Sequence, residues 1–344
     1  FCVTDNSGVL QKTVNLLQKA KMVSEADIIR LFTRSDPNVI LGPGDDSALF
    51  RPETGMEVAV STDMLVSGQH FFADTDPYKL GHKALAVNLS DMAAMGANPR
   101  WATLALALPE SLIKIDTKWV ESFARGLLEL AGSHQVALIG GDVTRGPLTI
   151  CIQIIGEVAK GRALHRSGAR EGDDIWVSGK LGDAALALLH ERREIKLEPN
   201  EFAECLNALL LPVARVDLGQ RLVGLANSAI DISDGLLADL GHILERSNVA
   251  ATISLKEVNC SVILKKYFSH PQVINCMLAG GDDYELCFTV PEERRSKIDK
   301  ISQETGIPLT RIGKIIMGEG LVVLDSTEKP IMLETTGYDH FHTT

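Results

Sequence analysis

A chain of 344 residues, 45% of them hydrophobic, holds material for about two ordinary domains with sizeable cores, which excludes general disorder. Its 34 Lys and Arg stand against 45 Asp and Glu, a net charge of −11. That balance argues against a general nucleic-acid binder or a resident of an anionic membrane surface, and any phosphate it handles must be met by positive charge from another source.

In chain order, Glu57 to Ser61 reads as a short β-type run, with Asp63 placed at its end. A helix is expected from Pro77 to Met95, with Asp76 as N-cap, Pro77 at the first helical position and Gly96 as a stop. Trp101 to Leu108 and Leu148 to Val158 are longer strand candidates. Between them lie an amphipathic helix, Thr117 to Ser133, and a buried strand, Val136 to Ile139, with Asp142 just after the Gly140-Gly141 pair that closes it. The Gly- and charge-rich segment from Gly161 to Asp174 has no apolar period and reads as an inter-domain connection, so domains are expected over 1–160 and 161–344. The second half alternates again. Strands are expected at Asp174–Ser178, Ala251–Leu255 and Tyr284–Val290, and helices at Asp183–Arg192, Val213–Ala226 and Gly235–Ser247. A helix from Pro291 and short strands near Arg311 and Leu321 follow, and the whole is a mixed α/β chain. Its six cysteines form no CxxC pair, which suits neither a disulfide framework nor a zinc site and fits a reducing cytosol. No apolar run approaches 18 residues, and Phe1 to Gly8 lack a charged-then-apolar leader, so a cytoplasmic protein without a membrane span is expected.

The aspartates carry the functional signal. Asp45-Asp46, Asp63, Asp142, Asp231, Asp234 and Asp282-Asp283 sit at expected strand ends or glycine turns, where loops bring side chains to a shared cleft. Asp91 differs, because it lies within the apolar Pro77 helix. A carboxylate there needs either an Arg or Lys partner or a metal ion. Mg²⁺ takes oxygen ligands, commonly one or two carboxylates with water and substrate phosphates, and several dispersed aspartates converging on one site would let an acidic chain bind polyphosphate. Each Gly-Asp pair alone is equally a turn signal, and Asp234 alone equally a helix cap. Only the whole set points to a shared site.

No P-loop, GxGxxG or GxSxG is present. Arg145 and Arg166 flank glycine turns, where either holds a phosphate bidentately or serves as a surface residue. His70 reads first as a polar capping or core group, with ligand contact as the alternative. His340 and His342 read as solvated residues. Tyr338 either ties down the tail together with Phe341 or stacks on a flat ring.

Eight segments appear in order: GDDSALF (44–50), STDMLVSGQHF (61–71), KALAVNLSDMAAMGANP (83–99), LIGGDVTRGPL (138–148), LHRSGAREGD (164–173), AIDISDGLLADLGHI (229–243), GGDDYELCFTV (280–290) and GYDHF (337–341). Together they resemble the thiamine-monophosphate kinases, whose superfamily includes aminoimidazole ribonucleotide synthetase and selenophosphate synthetase. The resemblance runs from about Ile40 to Phe341. The first 20 or so residues fall outside it and, starting without Met, are read as a remnant of processing.

The resemblance implies two mixed α/β domains of the aminoimidazole ribonucleotide synthetase type, the N-terminal ones pairing across a β-barrel-like interface in a homodimer. It implies ATP-dependent phosphorylation of thiamine monophosphate to thiamine diphosphate by direct transfer, with no covalent nucleophile. Carried over by motif, Asp46, Ser61, Thr62, Asp63, Asp91, Asp142, Asp231 and Asp234 would ligate several Mg²⁺ ions. Gly141, Asp142, Arg166 and Ser233 would contact ATP, and His70, Asp282 and Tyr338 the thiamine phosphate. One position departs, since the family often carries Glu where this chain has Asp282.

The physics agrees with that reading. Two unit charges ~4 Å apart repel by about 4 kcal/mol at an effective dielectric near 20, and two polyphosphates multiply that figure, so a single Lys would not suffice. Two other classes remain open at this level: an ATP-dependent ligase of the aminoimidazole ribonucleotide synthetase kind, and a non-catalytic nucleotide- or metal-binding protein.

Overall fold

The computed structural model describes residues 25–32, 39–43, 46–113, 117–331 and 337. Its first half is built on a four-stranded sheet of β3 (Met56–Val66), β6 (Thr149–Ala159), β4 (Asn98–Leu108) and β5 (Ala137–Arg145), in that order across the sheet. Only the β4–β5 pair is parallel. A small antiparallel pair, β1 (Val39–Leu41) and β2 (Leu49–Phe50), precedes it.

Two strands are longer than their composition suggests. Asp63 lies within β3, which runs on to Val66, and Gly140-Gly141-Asp142 lie within β5, which runs on to Arg145. Gly and Asp disfavour strands, but pairing along the full lengths of β6 and β4 overrides that preference.

One face of this sheet is covered throughout; on the other, Val39 and Phe50 of the β1–β2 pair cover Trp101, Ile139 and Ile155, and the β3 side is left exposed. Leu65 and Leu104 with Ile150, Ile152 and Ile154 point inward under helix α2 (Pro77–Ala94) and helix α4 (Lys118–Ser133). Helix α1 (Glu25–Phe32) adds Ile28 and Phe32 to that core, and α3 (Glu110–Ile113) is a single turn. On the outer face, Val58, Val60 and Met64 of β3 stand exposed at alternate positions, as a period of two requires.

Helix α2 begins as its sequence indicates, with Asp76 accepting from Lys79 N–H at 3.0 Å and Pro77 in the first turn. It packs on α4 at backbone distance through two glycines: a Cβ on Gly81 would lie 2.1 Å from Phe123 O, and one on Gly126 would lie 1.9 Å from Tyr78 O.

The second half is a six-stranded sheet in the order β12 (Leu321–Leu324), β9 (Ala250–Ser254), β11 (Leu309–Ile316), β7 (Asp174–Ser178), β10 (Glu285–Val290), β8 (Ser228–Ile232). Both faces are buried at its centre, so β7, β8 and β10 have no exposed position. Trp176, Ala229, Leu286 and Phe288 face the first half and share its core. Ile175, Val177, Ile230 and Cys287 face α5 (Asp183–Glu191), α6 (Pro199–Leu210) and α8 (Leu236–Ser247).

The expected helix over Val213–Ala226 is shorter, α7 (Val216–Leu222). Helix α6 was hidden by the charged stretch before it, although Glu198 and Glu201 form a capping box and Pro199 follows. Short helices α9 (Val262–Lys266) and α10 (Val273–Leu278) lead to β10, and α11 (Arg295–Thr305) follows it. Among the described residues, five cysteines are free thiols and no helix is long and apolar enough to cross a membrane.

Candidate active site

Helix α2 lies between the two sheets, and the carboxylates meet along it. Asp63 comes from β3, Asp91 from α2, and Asp231 from the end of β8. Neighbouring hydroxyls hold them. Ser61 Oγ donates to Asp91 Oδ2 in a short hydrogen bond, and Ser90 Oγ donates to Asp231 Oδ2 at 2.8 Å. All three carboxyls titrate above their ordinary range. Burial and then the charges of Asp91 and Asp231 push Asp63 up to about 7. Burial and then Asp91 push Asp231 up to about 7. Burial likewise raises Asp91, against the lowering effect of the Ser61 hydrogen bond.

Three acidic groups held this close repel one another, and a cation between them would relieve that repulsion. Among the described residues no Lys or Arg forms an ion pair with any of them. The Arg166 guanidinium, on the exposed segment before β7, favours the ionised forms of Asp91 and Asp231 from a distance.

These groups line a cavity of about 730 Å³ together with His70, Ser233, Asp234, Asp282 and Tyr284. Phe71, Phe72, Leu188, Leu209 and Leu210 give it an apolar wall, beside which stands Arg192. His70 Nδ1 accepts from Val66 N–H at 3.0 Å, which places the proton of the neutral ring on Nε2.

The loop carrying Ser233 and Asp234 is shaped by Asp239, one turn into α8. Its Oδ2 accepts from the N–H groups of Ser233, Asp234 and Gly235 at 3.0 to 3.1 Å. Burial, then Asp231 and Asp234, push its carboxyl up to about 7. Gly337 packs against this loop, where a Cβ would lie 2.4 Å from that of Ala238. The next residue, Tyr338, lies outside the described residues, as does Asp45.

Adjacent acidic residues in the GGDD turn point to different tasks. Asp282 lines the cavity, whereas both oxygens of Asp283 accept from Gly182 N–H, at 3.0 and 3.1 Å, ahead of α5.

The remaining sequence candidates lie elsewhere. Asp46, Gly141 and Asp142 line a second cavity of about 450 Å³, with Ile29, Phe32, Thr103 and Leu138. Gly141 has φ +152, and a Cβ there would lie 1.9 Å from Leu104 O, so only glycine lets β5 approach β4 this closely.

Strand register separates the two groups. Asp63, Ile152, Leu104 and Gly141 form one row across the sheet, and Met64, Cys151, Ala105 and Asp142 form the next. Adjacent rows face opposite ways, so Asp63 points inward and Asp142 outward, three strand spacings or roughly 14 Å across. Thr62 also faces outward, where Gln153 Nε2 reaches its Oγ1 at 3.5 Å.

The sequence reading passed over Ser90, Asp239, Lys83 and Tyr284. Ser90 lies inside the NLSD motif beside Asp91, and Lys83 recurs at helical spacing from Asp91 through Val87; both signals were readable. The φ of +50 at Tyr284 and the triple acceptance by Asp239 were not.

The chain is similar to known proteins along most of its length. The AIR synthase related protein N-terminal domain model matches residues 44–158, and the C-terminal domain model matches residues 170–326. Thiamine-monophosphate kinase of Escherichia coli K12 is 46% identical over 322 residues, spanning 92% of this chain and 97% of that one. The crystal structure of thiamine-monophosphate kinase from Stenotrophomonas maltophilia K279a superposes with a TM-score of 0.80 at 45% identity, covering 86% of this chain and 94% of that one. AaThiL complexed with AMPPCP and TMP superposes with a TM-score of 0.73 at 31% identity over 99% of each chain.

Proposed function

The chain belongs to the thiamine-monophosphate kinase family, and on that footing we propose that it transfers the terminal phosphoryl group of ATP to thiamine monophosphate, giving thiamine diphosphate. The observation that carries the chemistry is the meeting of Asp63, Asp91 and Asp231, positioned by Ser61 and Ser90 and, among the described residues, without an ion-paired cation, in a cavity with an apolar wall.

The donor set is all oxygen, which suits Mg²⁺ and not a thiolate- or imidazole-seeking metal. Among the described residues no three His, Cys, Asp or Glu close on one point as a complete shell would. Mg²⁺ commonly takes only one or two carboxylates, with water and phosphate oxygens as its other ligands. Asp63, Asp91 and Asp231 would hold such ions, with Ser61 and Asp234 beside them; Thr62, also assigned to the metal by resemblance, faces the other side of β3. Bound there, Mg²⁺ would neutralise the charge of both phosphate chains.

The protein's own groups do the positioning. Ser61 and Ser90 fix two of the carboxylates, and Arg166 adds the positive charge that acidic walls lack. Ser233 and Arg166 are assigned to ATP, and His70, Asp282 and Tyr338 to thiamine monophosphate. The transfer is direct, because positioning and charge neutralisation supply what phosphoryl transfer needs.

Asp46, Gly141 and Asp142 are assigned to nucleotide and metal as well, and this requires a second copy of the chain. In one chain Asp142 points away from Asp63. The outer face of the sheet is exposed along β3, at Val58, Val60 and Met64, and β3 and β5 are its two edges. Pairing two such faces in a homodimer would bury that surface, and a barrel-like closure would bring the β5 of one copy toward the β3 of the other. The free thiols favour a reducing, cytoplasmic setting.

The test is ADP release with ATP and Mg²⁺, supplied in turn with thiamine monophosphate, with unphosphorylated thiamine and with the ribonucleotide substrate of the ligase relatives. Turnover with thiamine monophosphate alone supports the assignment. Turnover with thiamine or with the ribonucleotide instead overturns it.

A further inference from the structure

The most unusual group near the cavity is a lysine that none of the roles above uses. Lys83, Val87 and Asp91 recur at intervals of four along α2 and form one stripe of its surface. Val87 and Asp91 line the cavity, while Lys83, two turns and roughly 12 Å from Asp91, lies just behind its wall. Its side chain is 1% exposed.

Burying an ammonium is costly, and an apolar residue would fill the same space more cheaply, so the charge calls for a reason. Lys83 Nζ lies 2.9 Å from Asp282 Oδ1, off the axis of a well-formed hydrogen bond. The Tyr284 hydroxyl donates to the same oxygen at 3.0 Å. Both acidic-turn residues hold left-handed backbone, φ +67 at Asp282 and +50 at Tyr284, an arrangement side chains rarely adopt. Their N–H groups donate to Ser233 O at 2.9 Å and Ile232 O at 2.8 Å, which ties the turn to the end of β8. Asp282 Oδ1 therefore has two partners, and no described residue donates to Oδ2.

We propose that Lys83, seconded by the Tyr284 hydroxyl, is a positioning residue for substrate recognition: it locks Asp282 Oδ1 so that Oδ2 faces the cavity and accepts from the amino-bearing, cationic organic part of thiamine monophosphate. This rests on the function proposed above. Along α2 the Lys83 end of the lock sits two helical turns from Asp91, which the proposed function gives to the metal and phosphates, a spread suited to a molecule with its phosphate at one end. It also gives the shorter Asp282 arm a fixed direction.

The test is steady-state kinetics of the full chain with ATP and Mg²⁺, comparing wild type with Lys83→Met, Asp282→Asn, their double variant, and Tyr284→Phe. Lys83→Met is expected to raise KM for thiamine monophosphate about tenfold or more, with kcat and KM for ATP within about threefold of wild type. Asp282→Asn should do the same, and the double variant should be no worse than either, because both act through one carboxylate. Tyr284→Phe should raise the same KM by about threefold. An unchanged KM for thiamine monophosphate in Lys83→Met, a parallel change in kcat and KM for ATP, or multiplying effects in the double variant overturns the proposal. Should Lys83→Met fail to fold, Tyr284→Phe and the double variant, which removes both charges, decide by the same criteria. A wild type inactive on thiamine monophosphate sinks the functional assignment and this proposal with it, whereas an active wild type with unaffected variants sinks this proposal alone.

Discussion

Asp91 combines three constraints that pull apart: an apolar helix, two acidic neighbours, and a hydroxyl that stabilises its ionised form. Replacing it with Asn removes charge without changing shape. Turnover should fall by about a thousandfold or more, the loss expected when several kcal/mol of transition-state charge stabilisation disappears. The melting temperature without Mg²⁺ should hold or rise, because a repelling charge has gone, and a thermal scan beside the assay checks both.

The raised titration of Asp63, Asp231 and Asp239 sets the pH dependence. Each ordinarily titrates near 3.8 and is pushed up to about 7 in the fold, so between those values the folded chain holds protons that the unfolded chain has released. The stability these three groups contribute without metal is therefore fully present below about pH 4 and is lost as pH rises through about 7. Mg²⁺ should restore more stability at pH 8 than at pH 5.5 and should release protons on binding near pH 6.5. Calorimetry in two buffers of different ionisation enthalpy measures that release.

At this scale the sequence pointed to Asp63, Asp91 and Asp231, which the fold brings to one cavity, and was silent about direction. The apolar context of Asp91 was visible in the chain. That Asp282 would line the cavity while Asp283 turns to Gly182 was not, since the two differ only in the backbone angles of one turn.

Among the elements, the β8–α8 loop depends most on a single side chain. Asp239→Ala leaves three N–H groups without their carboxylate and should cost about 1–3 kcal/mol in urea unfolding. Asp239→Asn, which keeps an acceptor oxygen, should cost less. Strand β5 depends on Gly141 in the same way. An alanine there meets Leu104 O, so Gly141→Ala should pry β5 from β4 and weaken nucleotide binding before it unfolds the chain.

Most elements were legible from apolar period and caps, as with Asp76 and Pro77 at the start of α2. The misreadings share a cause. Asp63 and Gly140-Gly141 look like strand ends by propensity, yet a paired neighbour carries each strand three to five residues further. Because side chains alternate in a strand, those extra residues decide which face each carboxylate occupies.

For the whole molecule, collinear motifs made the superfamily and the two-half architecture readable, but not the separation of Asp63 from Asp142 by strand register. That separation, with the sheet face exposed along β3, is the physical argument for a homodimer. Val60, 57% exposed midway along the edge strand β3, is the position to break it. Val60→Asp should shift the mass by light scattering from dimer to monomer and cut turnover with it. A wild type that is monomeric and fully active would remove the partner copy from the site.

The account stands most directly on one assay: ADP release from ATP with thiamine monophosphate, with and without Mg²⁺, by wild type and Asp91→Asn. Release by wild type that needs both the substrate and the divalent ion, and is lost in a folded Asp91→Asn, is the expected result. Release that persists without Mg²⁺ or survives in Asp91→Asn would contradict it.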